Sequence, residues 1–115
     1  MKLYAIKLFL TIFKRGLLLL TSLLVLSSFL PGQQKTRIVE IRNMKFVPAE
    51  ILVAPGDKVL FVNMDMVIHN VTEEKKRWAS PTIAPKDSWT YTAKSSLAYY
   101  CSLHPMMKGR IKVKK

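Results

Sequence analysis

Cys101, His104 and Met107 stand three residues apart in the stretch Tyr99-Tyr100-Cys101-Ser102-Leu103-His104-Pro105-Met106-Met107-Lys108-Gly109. Alternation places Leu97, Tyr99 and Cys101 on one face of a strand, with the thiol at the strand's end. A short loop then returns through His104 and Met107, and a new strand starts near Gly109. Thiol, imidazole and thioether converge on one point. Thiolate with imidazole suits copper, because soft sulfur stabilises Cu(I) while nitrogen tolerates Cu(II). Two histidines and one cysteine in a trigonal set, with a weak axial methionine, form an electron-transfer copper geometry. The stretch supplies three of those four donors. The chain contains two histidines, so the remaining donor is His69, 32 residues before Cys101, in Asp65-Met66-Val67-Ile68-His69-Asn70-Val71.

Other chemistries for the same residues are weaker. A lone buried cysteine is ordinarily an inert small hydrophobe, and it is the spacing to His104 and Met107 that overturns this for Cys101. A nucleophilic cysteine needs an adjacent base held by a third group, and here both histidines serve better as ligands. Zinc could use the thiolate and imidazoles, but a thioether is a poor zinc ligand. Met44, Met64 and Met66 are read as core or rim residues rather than as a methionine-rich copper store.

The elements that must position this set read as strands. From Arg37 onward, short alternating segments are separated by turn residues, and no long helical period is present. Val39 and Ile41 oppose Ile38, Glu40 and Arg42; Val59 and Phe61 oppose Lys58, Leu60 and Val62. Trp89 and Tyr91 oppose Ser88, Thr90 and Thr92; Ile111 and Val113 oppose Arg110, Lys112 and Lys114. Pro55-Gly56 fits the central positions of a type II turn, which makes Ile51 to Ala54 and Lys58 to Asn63 neighbouring strands. The expectation is an all-β sandwich of seven or eight strands.

From about Asn43 to Lys112 these residues resemble the cupredoxins, the small blue-copper proteins. The resemblance rests on Phe46-x-Pro48, on Ile51-x-Val53-x-x-Gly56-Asp57-x-Val59-x-Phe61-x-Asn63-x-Asp65, on His69-Asn70-Val71, and on Tyr99-x-Cys101-x-x-His104-Pro105-x-Met107-x-Gly109. The Cys-x-x-His-x-x-Met spacing is similar to the short ligand loop of amicyanins. It implies a Greek-key sandwich holding one copper per chain. His69 would be the first imidazole ligand, Cys101 the equatorial thiolate, His104 the second imidazole and Met107 the axial thioether. Loop length favours Met107 over Met106, which is expected as an exposed hydrophobe beside His104. Asn70 would tie the His69 loop to the Cys101 loop through side-chain hydrogen bonds. Val67-Ile68 stands where amicyanin has a methionine and a proline, so a methylamine dehydrogenase partner is not carried over. Multicopper oxidases and copper nitrite reductases contain similar domains but need further histidines for a catalytic copper, and this chain has none to spare.

The start of the chain is a different material. Its first 34 residues carry only Lys2, Lys7, Lys14 and Arg15 as charges, and Leu17 to Leu30 is a leucine-dominated run of 14 residues ending at Pro31-Gly32. A bilayer span needs roughly 20 apolar residues, so the run suits a secretory signal. Residues 1–32 are read as a signal peptide, with an uncleaved signal anchor as the alternative, and 33–115 as the cupredoxin domain. The mature chain is expected to begin between Ser28 and Thr36, in the periplasm or another extracytoplasmic space. Cys101 is the single cysteine, which excludes an internal disulfide framework and a lipid-accepting cysteine near the run. Residues 33–115 carry fifteen basic and seven acidic side chains, net +8. That surplus points to an acidic partner, and with no nucleic-acid motif beside it nucleic acid is excluded. The chain reads as a monomeric electron carrier between redox proteins, not an enzyme, with a periplasmic copper chaperone or resistance factor as the alternative.

Overall fold

The computed structural model describes residues 2–26 and 32–115, in two units, Met1–Gln33 and Gln34–Lys115. In the first, α1 (Lys2–Leu26) is a helix of 25 residues. Its leucines and lysines, unbranched at Cβ, are good helix formers and no proline interrupts it. Phe9 and Phe13, one turn apart, stack with ring centroids 6.4 Å apart. No helix among the described residues is long and apolar enough to cross a membrane. Residues 27–31, on which the end of the leucine run and part of the expected cleavage region fall, lie outside the described residues.

The second unit is the expected all-β sandwich, with eight strands in two sheets of four. One sheet has the order β2 (Lys45–Val47), β1 (Thr36–Arg42), β4 (Lys58–Asn63), β6 (Ser88–Thr92). The other has β3 (Glu50–Val53), β8 (Lys108–Val113), β7 (Leu97–Tyr100), β5 (Thr72–Glu73). β1 runs parallel to β4 and β3 parallel to β8, and the remaining pairs are antiparallel. The alternation read from the sequence is the inward face of each sheet: Val39, Ile41, Val59 and Phe61 meet Val53, Leu97, Tyr99 and Ile111. Each such side chain contributes roughly 1.5–3 kcal/mol by leaving water. Tyr99 is the centre of the core, edge-on to Phe46 at 4.9 Å and to Phe61 at 5.2 Å between centroids.

The Pro55-Gly56 turn forms as expected, with Gly56 at φ 88° and the Asp57 amide donating to the Ala54 carbonyl at 3.1 Å. It does not join neighbours in one sheet. β3 pairs with β8 while β4 lies between β1 and β6, so the turn carries the chain from one layer to the other. Val53 and Val59 are both fully buried, and two strands that each need an inward apolar face satisfy it by stacking face to face. The Asp57 carboxylate fixes the crossing by accepting from the Ala54 and Lys35 amides at 2.9 and 3.0 Å. Gly56 N donates to the Ala93 carbonyl at 2.7 Å, which ties the turn to the end of β6.

Candidate metal centre

Cys101 leaves the end of β7 with its side chain continuing the inward face of Leu97 and Tyr99, and it is fully buried. The loop after it is closed by its own backbone. His104 N donates to the Cys101 carbonyl at 3.2 Å, Met107 N to the His104 carbonyl at 2.9 Å, and Cys101 N to the Met107 carbonyl at 3.1 Å. These bonds close the seven-residue segment that carries the three side chains. His104 Nδ1 lies 3.7 Å from Cys101 Sγ. Met107 is buried and Met106 is 93% exposed, so of the two adjacent methionines only Met107 turns inward beside the thiol and imidazole.

His69 comes from the segment between β4 and β5 and is fully buried. Its backbone forms an isolated bridge with Ile83, each amide donating to the other's carbonyl, at 3.2 and 2.7 Å. Nδ1 stands 3.9 Å from Cys101 Sγ. The other ring nitrogen, Nε2, lies 2.9 Å from Asp65 Oδ2. An ionised carboxylate only accepts, so the proton sits on Nε2 and the Nδ1 lone pair faces the thiol. The same carboxylate accepts from the Asn43 and Met44 amides at 2.7 and 3.0 Å. Burial raises the Asp65 pKa, but those two amides and the His69 ring outweigh it and hold the group below its ordinary value. Asn63 braces the loop between: its Nδ2 donates to the Val67 and Ile83 carbonyls, and its Oδ1 accepts from the Asp65 amide.

Asn70 links the two halves of the site as the resemblance implied. Its Nδ2 donates to Ser102 Oγ at 2.6 Å, its Oδ1 accepts from the Ser102 amide at 2.8 Å, and its backbone amide points at Cys101 Sγ at 3.5 Å. Hydrogen bonds to a ligand sulfur tune a copper site's potential. The donor atoms of His69, Cys101 and His104 all lie within 4.8 Å of one another. The structure thus brings together the donor atoms of three of the residues expected from the sequence, and the fourth, Met107, is buried in the same loop. The sequence reading did not assign the roles of Asp65 and Ser102. A carboxylate four residues before His69 in Asn63-x-Asp65 was the available signal for the first, and Ser102 had none.

Two imidazoles and one thiol, all uncharged or singly anionic and soft to borderline, fit copper better than a hard cation. Residues 33–114 match the family model of copper binding proteins, plastocyanin/azurin family. The chain belongs to that family. Copper is its cofactor, one ion per chain. It is similar to the amicyanin of Paracoccus versutus, 29% identical over 81 residues, which are 64% of this chain and 61% of that protein. The chain thus spans about three fifths of that relative's length. The solved amicyanin structure from Paracoccus versutus aligns with a TM-score of 0.61 at 24% identity, covering 76% of this chain and 87% of that one. A copper-containing nitrite reductase from Thermus scotoductus SA-01 aligns with a TM-score of 0.63 at 24% identity, over 75% of this chain and 23% of the enzyme. At those identities the two structures establish the shared cupredoxin sandwich.

Proposed function

We propose that this cupredoxin is an exported electron carrier, with His69 Nδ1, Cys101 Sγ, His104 Nδ1 and the Met107 thioether as its copper ligands. Bound copper supplies a one-electron Cu(II)/Cu(I) couple. The observation that carries the reading is the network that holds the donors. His69 is fixed by Asp65 and Ile83, and Cys101 and His104 by the closed loop, so neither oxidation state needs to rearrange the protein. That rigidity favours a carrier over a chaperone, which has to release its ion. Catalysis at a second copper requires imidazoles beyond the two in this sequence, which favours a non-enzymatic role. The copper-loaded protein is expected to give a reversible one-electron wave and to keep its copper through repeated cycles in the presence of a Cu(I) chelator. Loss of copper to the chelator in the first cycles would support the chaperone reading.

The axial assignment has its own test. Met107→Leu is expected to leave a coloured site with a raised potential, because removing the thioether disfavours Cu(II) more than Cu(I). A tenfold change in relative affinity corresponds to about 59 mV for a one-electron couple, and a rise of that order is expected. Met106→Leu changes it little. The reverse ranking in paired voltammetry would give the axial role to Met106.

Electrons are proposed to pass through the edge of His104, which is half-buried between exposed Leu103, Pro105 and Met106. On the outer face next to this loop lies a groove of about 600 Å³ lined by Glu74, Ala98, Tyr100, Pro105, Lys108 and Arg110. Lys108 and Arg110 are exposed and bias this face toward an acidic redox partner. Stopped-flow electron transfer with an acidic protein is expected to slow as salt shortens the Debye length to about 8 Å at physiological strength, and Lys108→Glu should slow it at low salt. A rate unmoved by either change would make docking purely apolar. The N-terminal segment up to residue 32 is proposed as the export signal, which mass spectrometry of the recovered protein's first residue would test.

A further inference from the structure

Positive charge gathers at the end of the sandwich away from the metal centre. β4 runs from Lys58 to Asn63, whose side chain braces the His69 loop, so Lys58 lies at the opposite end, about 17 Å along the strand. The register sets Lys58 between Thr36 and Thr92, which brings the start of β1 and the end of β6 to the same place. Lys58 N donates to the Lys35 carbonyl at 2.8 Å. Ala93 N donates to the Asp57 carbonyl at 2.8 Å, which puts Lys94 at this end, and Lys114 N donates to the Val53 carbonyl at 2.9 Å, which puts the end of β8 there too. Lys35, Arg37, Lys58, Lys94, Lys114 and Lys115 are all exposed. None of the six forms an ion pair among the described residues, whereas Arg42, Arg77 and Lys112 elsewhere pair with Glu40, Glu73 and Glu50. The carboxylate at this end, Asp57, is buried and committed to the Lys35 and Ala54 amides. Side chains here therefore hold +5 of the domain's +8. Apolar groups stand beside them. Ile38 on β1 and Leu52 on β3 are 57% and 54% exposed, and with Arg37, Pro48, Ile51 and Lys114 they line a groove of about 620 Å³.

We propose that this end of the sandwich docks on an anionic phospholipid bilayer. Six unpaired cations in one place repel one another, and nothing inside the sandwich compensates them. The two components of the surface match the two layers of a lipid interface: the Lys and Arg side chains meet headgroup phosphates, and Ile38 and Leu52 reach the acyl boundary beside them. Nucleic acid or an acidic protein would pair with the cations and leave the apolar side chains unused. Lys35 and Arg37 are also the first cations after the leucine-dominated run, which keeps them close to any membrane that run enters. Docked in this way, the domain presents the His104 loop at its far end, with Lys108 and Arg110 left for a redox partner. The two charged faces act independently, because their separation exceeds the Debye length of about 8 Å at physiological ionic strength.

The surface does not involve the metal, so its test stands apart from the copper reading. The full chain is added to preformed vesicles of phosphatidylcholine alone, or of phosphatidylcholine mixed equally with phosphatidylglycerol. A membrane-impermeant acylating reagent then labels the lysines, and mass spectrometry reads each one. Lysines are compared within the same molecules, so any affinity of the N-terminal segment for the vesicles cancels. At low salt Lys58, Lys94 and Lys114 are expected to react about fivefold more slowly on the anionic vesicles than on the neutral ones, and high salt should remove the difference. Lys108 on the metal-site loop and Lys86, whose amide donates to the Asn63 carbonyl at the far end of β4, should be unchanged. The variant I38N/L52N keeps every charge and should lose most of the protection. No slowing on anionic vesicles, slowing shared equally by Lys86 and Lys108, or slowing that survives high salt would overturn the proposal. Full protection in I38N/L52N would overturn it as well and give this end to a soluble polyanion, an acidic protein or nucleic acid.

Discussion

Cys101→Ser is expected to erase the intense blue or green absorption of the Cu(II)-loaded protein. That band is a charge transfer from thiolate sulfur to the metal, and a serine hydroxyl is neither soft nor ionised at neutral pH. Sγ is also the common neighbour of both histidine Nδ1 atoms, at 3.9 and 3.7 Å, so the substitution removes the donor that both imidazoles face. The fold should survive. Serine is smaller than cysteine, and its Oγ has a donor ready in the Asn70 amide that now points at Sγ, so burying the hydroxyl costs on the order of 1–2 kcal/mol. Absorption spectra of copper-loaded wild type and variant, with circular dichroism to confirm the sandwich, provide the comparison. Persistence of the colour in a folded Cys101→Ser protein would mean that the ligands lie elsewhere.

The grouping of His69, Cys101 and His104 was legible because the chain contains one cysteine and two histidines, so spacing alone left few combinations. The sheet faces were legible for an equally local reason: inward Ile41 and Ile111 alternate with the charged residues Glu40, Arg42, Arg110 and Lys112 at a period of two, and the same period sets Val59 and Phe61 apart from Leu60 and Val62. The turn at Pro55-Gly56 was legible too, but its place in the topology was not. Whether a turn joins two strands side by side or crosses between layers depends on distant partners such as Ala93 and Lys35, which local sequence does not encode. Asp65 falls between these cases. Its spacing from His69 was visible, but the left-handed Asn43-Met44 turn that completes its hydrogen bonding lies 21 and 22 residues away. Ser102 likewise acquires its meaning only once the sandwich brings Asn70 against it.

Gly109→Ala is expected to lower stability more than any surface substitution and to disturb the copper site with it. Gly109 on β8 pairs directly with Tyr99 on β7, and side chains directly opposite in an antiparallel pair share a face. The tyrosine ring occupies the space that a side chain at Gly109 would need. A methyl carbon there would stand 2.6 Å from Tyr99 Cε2 and closer still to Cζ and the hydroxyl oxygen. The ring cannot retreat, because Phe46 and Phe61 meet it edge-on from the opposite layer. Overpacking of this kind costs typically 1–3 kcal/mol and sometimes more. With a rigid aromatic ring as the obstacle, about 3 kcal/mol is expected. For a domain of this size that lowers the melting temperature by roughly 12–24 °C. Relief has to come from spreading β7 and β8 or from turning Tyr99, and Cys101 lies two residues further along the same face. The variant should therefore melt earlier and also show a shifted or weakened thiolate band. Calorimetry and absorption on one sample separate the outcomes: a large drop in melting temperature with an unchanged band would confine the strain to the core, and an unchanged melting temperature would contradict the close approach of Tyr99 to Gly109.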